Sequence, residues 1–213
     1  MTRGEALPSV ANLETNSHMI ERANAARERV ANEVIPALTE AFPGKVEVVP
    51  SGNDLIPQVF VAADTHVAVA LWLKERGFHM LVDITAADYY PKREPRFDLV
   101  YHLREMPQQD PTGNKGLGMI RIRVKLTEKD PVHTLSHIWP MANAAEREVW
   151  DQFGLNIINH PNLKRILNPD DWEGHPLRRD YPLRGPRALI NLEMPADENR
   201  YHPFVDEDSK EGK

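Results

Sequence analysis

MIRIRVKL, Met119–Leu126, alternates without a break: Ile120, Ile122, Val124 and Leu126 fall on one side of an extended chain, Arg121, Arg123 and Lys125 on the other. A period of two marks a strand in a sheet with one buried and one wet face, and the basic stripe reads as the solvated side. Working back, Phe97, Leu99, Tyr101 and Leu103 repeat the alternation, and the Gly- and Pro-rich stretch Pro107–Gly118 predicts a long hairpin loop between the two strands. Phe78–Ile84 predicts another strand, followed by a polar turn through Pro91 to Pro95. Lys45–Val49 and Gln58–Val61 predict two shorter ones, with PSGNDLIP supplying the turn between them.

Helical spacing frames these strands. From Ile20, apolar residues recur at Ala23, Val30, Val34, Leu38 and Phe42, and Pro43-Gly44 stops the run. Asp64 is placed to cap a second helix whose inward stripe is Val67, Ala68, Leu71 and Trp72 and whose end is Gly77. Asn143-Ala-Ala-Glu146 has the form of a capping box for a helix over Ala144–Phe153, with Ala145, Val149 and Phe153 inward, Arg147 facing Asp151 at i,i+4 and Gly154 as a left-handed stop.

The fold class is therefore α+β: over residues 18–153, a single domain with a mixed, largely antiparallel sheet packed by helices. Residues 1–17 lack periodicity and predict a disordered lead-in. Beyond about Leu167, Pro169, Pro176, Pro182, Pro186, Pro195 and Pro203 recur too often for helix or central strand. Residues 154–185 are read as an extended, Pro-rich partner-docking arm and 186–213 as an acidic, mobile tail. There is no internal repeat.

Composition removes several functions. With a formal charge of -6 and a pI near 5.9, the chain lacks the surplus of Lys and Arg that nucleic-acid binding requires. It has no cysteine, hence no disulfide, thiolate nucleophile, Cys-ligated zinc or conventional iron-sulfur ligation of its own. No apolar run nears the roughly 20 residues of a membrane span, and Glu5 and Glu14 near the start fit neither a signal nor a transit peptide. Membrane association is expected only through partners, on the cytoplasmic face of a bacterium.

The chemically suggestive residues are weak as active-site candidates. His133 and His137 lie four apart, but HTLSH lacks the general-base Glu of HExxH. His160 and His175, with Asp170, Asp171 and Glu173 between them, are the ligand set a metal-dependent hydrolase would use; salt bridging is the competing role. Glu146 and Glu148, two apart on a helix, face different directions and cannot share a substrate. Asp83 and Asp88 sit at a strand end, where turn capping and binding compete. There is no GxSxG, P-loop or GxGxxG.

DDWEGHPLRRDYPL, Asp170 to Leu183, is hard to explain as self-contained fold. It joins Trp172 and Tyr181, suited to a partner's pockets, with Arg178 and Arg179, suited to bidentate carboxylate contacts, on a backbone that prolines hold extended. A stiffened strap of this kind loses little entropy on binding.

The whole run EREVWDQFGLNIINHPNLKRILNPDDWEGHPLRRDYPL, Glu146 to Leu183, closely resembles the signature of the C-subunit of proton-translocating NADH:quinone oxidoreductase, respiratory complex I. LVDITAADYY, RFDLVYHL and the IRIRVKL strand resemble that family's sheet, so the likeness runs from about Ile20 to Leu183. Two positions depart: Gln152 stands where the family usually has an apolar residue, and Asn159 where it usually has glycine. The resemblance implies an unfused peripheral-arm scaffold subunit without catalytic residues, bound cofactor or metal, packed beside the quinone-site subunit and the cluster-bearing subunits. FMN, iron-sulfur clusters and quinone are expected on those partners. The implied partner-docking residues are Glu146, Arg147, Glu148, His160, Arg165, Asp170, Asp171, Trp172, Arg178, Arg179, Asp180 and Tyr181. The equivalent subunit of a membrane-bound hydrogenase-type complex is the alternative.

Overall fold

In the computed structural model the described residues are 10–50, 55–106 and 118–182, with side chains from residue 17 onward. The first part of the expected lead-in, the body of the hairpin loop, residues 51–54 of the early turn and the acidic tail lie outside them. The described chain up to Tyr181 belongs to one compact unit.

The alternating segments assemble as their pattern requires. Strand β5 (Met119–Leu126) lies between β2 (Gln58–Val61), to which it is parallel, and β4 (Phe97–Arg104), to which it is antiparallel with Tyr101 opposite Ile122. Strand β3 (Met80–Asp88) flanks β4 and β1 (Val46–Val49) flanks β2, both antiparallel, giving the order β1-β2-β5-β4-β3. The sheet is mixed and largely antiparallel. Ile120, Ile122, Val124 and Leu126 are buried, with Phe97, Leu99, Tyr101 and Leu103 beside them.

The basic side is less wet than the alternation suggests. Asp98 is fully buried there between Arg93 and Arg123, Arg123 also donates to Tyr89 Oη at 2.9 Å, and Arg123 and Lys125 lie over the Phe60 ring.

The first helical region is three pieces: α1 (Val10–Arg29), a π-helical turn (Val30–Val34) and α2 (Ile35–Ala41). The wide turn, closed by Ile35 N–H on Val30 O, precedes Pro36, which has no N–H to give to a regular ladder. The helix begins at Val10, earlier than residue 18, because residues 17–25 are exposed throughout and have no core-facing stripe for periodicity to reveal.

Helix α3 (His66–Glu75) buries His66, Val69, Ala70 and Leu73 rather than the stripe expected from Val67, Ala68, Leu71 and Trp72. The expected stripe is rotated because a histidine holds a core position: the His66 ring nitrogens lie 2.7 and 2.8 Å from the carbonyls of Ala63 and His133, and burial pushes its pKa down. Asp64 does not cap this helix. It takes Lys45 and the Thr65 hydroxyl, and Thr65 is the residue at the N-cap.

Helix α4 (Ala142–Phe153) packs on β3 with Ala145, Val149 and Phe153 inward. It starts two residues before the expected Ala144, after a turn in which Trp139 N–H reaches Leu135 O, so Asn143 lies inside the helix and no side chain caps it. Two short parallel strands, β6 (Val132–His133) and β7 (Ile157–Ile158), tie the segments flanking α4 together and have no signature in the sequence.

Candidate partner-docking site

The charged residues of α4 fasten the chain that follows. Glu146 does not reach back to its own helix. It is almost fully buried, and its carboxylate accepts from the Thr134 hydroxyl and from Leu135 N–H at 2.6 Å. Burial pushes its pKa up, against the pull of those two donors. His160 Nε2 stands 3.9 Å from that carboxylate and 3.0 Å from Asn143 O. Arg147 does not pair with Asp151: its guanidinium donates to the carbonyls of Lys164 and Arg165 at 3.0 and 2.8 Å.

Asp151 organises the next turn. Its Oδ2 accepts from the backbone N–H of Ile166, Leu167 and Asn168 at 2.9 to 3.1 Å, and Arg165 and the Asn168 amide reach Oδ1. Burial opposes ionisation of this carboxyl, but the donors led by Asn168 N–H hold it well below the usual carboxylate range. Arg165 continues to the carbonyls of Trp172 and Gly174 at 2.7 and 3.1 Å. Gln152 is buried, and its backbone carbonyl accepts from Leu177 N–H at 3.0 Å. Asn159, at the position expected to be glycine, has φ 61°, the left-handed conformation that explains the preference.

A second fastening lies at the far end of the strap. The Arg96 guanidinium, its side chain 4% exposed, meets Asp88 at 2.6 Å, Asp180 at 2.6 Å, and Glu128. Arg178 also takes Glu128, and Arg179 N–H donates to Asp88 Oδ2 at 2.8 Å. Burial opposes ionisation of Asp88, but Arg96 and the N–H groups of Arg179 and Tyr90 outweigh it and lower its pKa to about 2. Donating to the Asp88 and Asp180 carboxylates raises Arg96 in turn, and Asp180 is lowered by Arg96. Asp88 thus caps a turn and binds at once; the turn it begins contains two cis peptides, Tyr90-Pro91 and Glu94-Pro95.

Of the twelve candidate residues, Glu146, Arg147, His160, Arg165, Arg178, Asp180 and Tyr181, the last through its hydroxyl on Glu173 O at 3.0 Å, are engaged within the chain. Asp171 is exposed but not without a partner, Glu148 and Asp170 are exposed, and Trp172 and Arg179 are exposed with their backbones held. Residues 166–177 also turn apolar side chains outward: Ile166, Leu167, Trp172 and Leu177 are 40, 62, 38 and 54% exposed. That row is what periodicity reading missed, since it has no period.

The metal arrangement does not form from these histidines. His160 is held at Asn143 O near the start of α4 and His175 Nδ1 at Asp151 O near its end, 3.0 Å in each case. Eight residues of helix separate the anchors by about 12 Å. Among the described residues no group of three or more His, Asp or Glu is arranged to hold a metal ion, and no helix is long and apolar enough to cross a membrane.

The charged residues of this α+β domain clasp an irregular strap, and the strap presents apolar side chains outward. Residues 59–187 match the family described as respiratory-chain NADH dehydrogenase, 30 Kd subunit, and the chain belongs to that family. The C-subunit of the NADH-quinone oxidoreductase of Geobacter sulfurreducens is 43% identical over 130 residues, 60% of this chain and 75% of the relative. The solved trypsin-resistant fragment (1-134) of Nqo5 is 31% identical with a TM-score of 0.50, covering 61% of this chain and 98% of that one. A chain of an archaeal respiratory membrane complex, the membrane-bound sulfane sulfur reductase, is 26% identical with a TM-score of 0.56, covering 71% and 85%.

Proposed function

We propose that this chain is the peripheral-arm scaffold subunit of an NADH:quinone oxidoreductase. The assembled enzyme passes electrons from NADH through FMN and iron-sulfur centres to quinone and couples this to proton translocation. The chain has no catalytic role of its own and holds no cofactor. Its part is to position the quinone-site subunit and the cluster-bearing subunits, and it sits at the cytoplasmic side of a bacterial membrane through them.

The observation that carries this reading is the outward apolar row at Ile166, Leu167, Trp172 and Leu177 on a strap fixed at both ends. A side chain that gains nothing from its own fold and is displayed on a rigid frame is suited to a partner's pocket, because little entropy remains to be lost on docking. Absence of cysteine in the full sequence accords with clusters borne elsewhere.

A second reading, the equivalent subunit of a membrane-bound hydrogenase-type complex with another electron donor or acceptor, draws on the likeness to the sulfane sulfur reductase chain. One experiment separates them: gentle detergent purification of the tagged chain from native membranes, with mass spectrometry and an NADH:quinone assay. Co-purifying quinone-site and NADH-flavin subunits with NADH-dependent activity supports the first reading. A nickel-site or sulfur-reducing partner without NADH oxidation supports the second, and recovery of the chain alone overturns both.

A further inference from the structure

We propose that Arg179, with the exposed Tyr90 beside it, is a docking point for an acidic segment of a neighbouring subunit, an inference that rests on the subunit reading above. Three stretches meet at Arg96: the turn after β3, the loop that contains Glu128, and the strap at residues 178–181. Four of their carboxylates are already matched. Asp88, Glu128 and Asp180 lie on Arg96 and Arg178, and Asp130 accepts from Thr127 N–H at 2.7 Å.

The cations next to them in sequence are not. Lys92, Lys129 and Arg179 are exposed and have no carboxylate partner among the described residues, and Glu94 is the exposed countercharge of the same turn. Arg178 and Arg179, equivalent in sequence, are thereby separated. Arg178 is fixed on Glu128 with its guanidinium 5.6 Å from the Phe97 ring, whereas among the described residues Arg179 is anchored only by its backbone N–H on Asp88 and its five-donor fork meets no carboxylate.

Tyr90, 44% exposed, has the Arg96 guanidinium 4.7 Å from its ring, and its backbone N–H shares the Asp88 carboxylate with Arg179 N–H, so an exposed aromatic residue and the Arg179 backbone are tied to one carboxylate. A guanidinium held at a rigid backbone position fits a carboxylate in bidentate geometry, and Lys92 and Lys129, on the other two stretches that meet at Arg96, extend the match to a run of acidic residues.

The test uses the full chain in native membranes as wild type, Arg179→Ala and Arg179→Lys, with recovery of partner subunits at low and raised salt, melting of each purified chain, and carbodiimide coupling of the assembled enzyme. The expected result is about tenfold lower recovery for Arg179→Ala with unchanged melting, and an intermediate value for Arg179→Lys. Amide cross-links should join Lys92 or Lys129 to Asp or Glu of another subunit. Wild-type recovery of Arg179→Ala, a drop in its melting temperature matching the loss, or cross-links confined to Glu94 overturns the proposal. So does Arg179-dependent binding to phosphatidylglycerol vesicles, which would make the site a lipid contact. If wild type itself brings down no cluster-bearing subunit, the subunit reading fails, and this proposal with it.

Discussion

Arg96 and Asp180, 84 residues apart, are joined by two hydrogen bonds of 2.6 and 2.9 Å, so the last described turn of the strap is fixed to the edge of the sheet. The same guanidinium holds the buried Asp88, and Arg179 N–H shares that carboxylate. One buried cation therefore holds residues 178–181 on the domain together with Arg178 on Glu128 and Arg179 N–H on Asp88.

Arg96→Ala leaves Asp88 buried without its counter-ion and releases Asp180. Breaking a buried pair from one side costs about 3–5 kcal/mol, so the purified chain should melt well below wild type and become cleavable by protease near Arg178. The pH dependence has a defined direction. Asp88 is held at about 2 in the fold, below its ordinary value near 3.9, so its contribution is complete above about pH 4 and fades as pH falls toward 2. Acid titration of wild type and Asp88→Asn should differ in slope across that window; parallel curves would refute the assignment.

Much of this architecture is legible in the sequence where one side of an element faces the core. β5 has the bounds that alternation predicts, β2 has those expected of a short strand after a turn, and Ala145, Val149 and Phe153 point inward as their spacing requires. Legibility fails where a polar group is buried and satisfied. His66 turns α3 away from its apparent stripe, and Glu146 and Asp151 serve segments distant in sequence instead of their own helix. Local rules assign such residues to caps and i,i+4 pairs because a single sequence displays only near neighbours. The prolines of the strap reveal that it is irregular; that it is clasped follows from pairings 50 to 91 residues long, such as Arg178 with Glu128 and Arg179 with Asp88.

Gly154→Ala should disturb the strap through His175. Gly154 has φ 73°, and a Cβ there would stand 2.4 Å from the His175 ring, so the substitution costs about 1–2 kcal/mol for the left-handed backbone and also displaces the imidazole from Asp151 O. A double-mutant cycle with His175→Ala separates the two terms. Removing the ring relieves the clash, so the double variant should be more stable than the sum of the singles predicts; strict additivity would show that the ring does not crowd Gly154.

Glu146→Gln and Glu146→Ala should move stability in opposite senses relative to each other. Burial raises the pKa of this carboxyl, so the folded chain binds its proton more tightly than the unfolded one, and the stability it supports falls as pH rises through that raised value. Glutamine keeps an acceptor oxygen for Leu135 N–H, turns an amide N–H donor to the Thr134 hydroxyl oxygen and removes the buried charge, so Glu146→Gln should melt near or above wild type in alkaline buffer and lose that pH slope. Alanine leaves Leu135 N–H unpaired at a cost of about 1–3 kcal/mol.

Leu167→Ser and Trp172→Ala test whether the outward row serves docking or folding. Both side chains are substantially exposed, while the hydrogen bonds that hold their backbones, Leu167 N–H on Asp151 and Trp172 O with Arg165, do not depend on them. Surface substitutions of this kind change a melting free energy by about 0.5 kcal/mol or less, whereas truncating an apolar anchor in an interface costs about 2 kcal/mol or more. The chain should therefore keep its melting temperature and lose recovery of partner subunits from native membranes, more for the double variant than for either single. A fall in melting temperature without loss of recovery would make the row a packing surface for the chain itself.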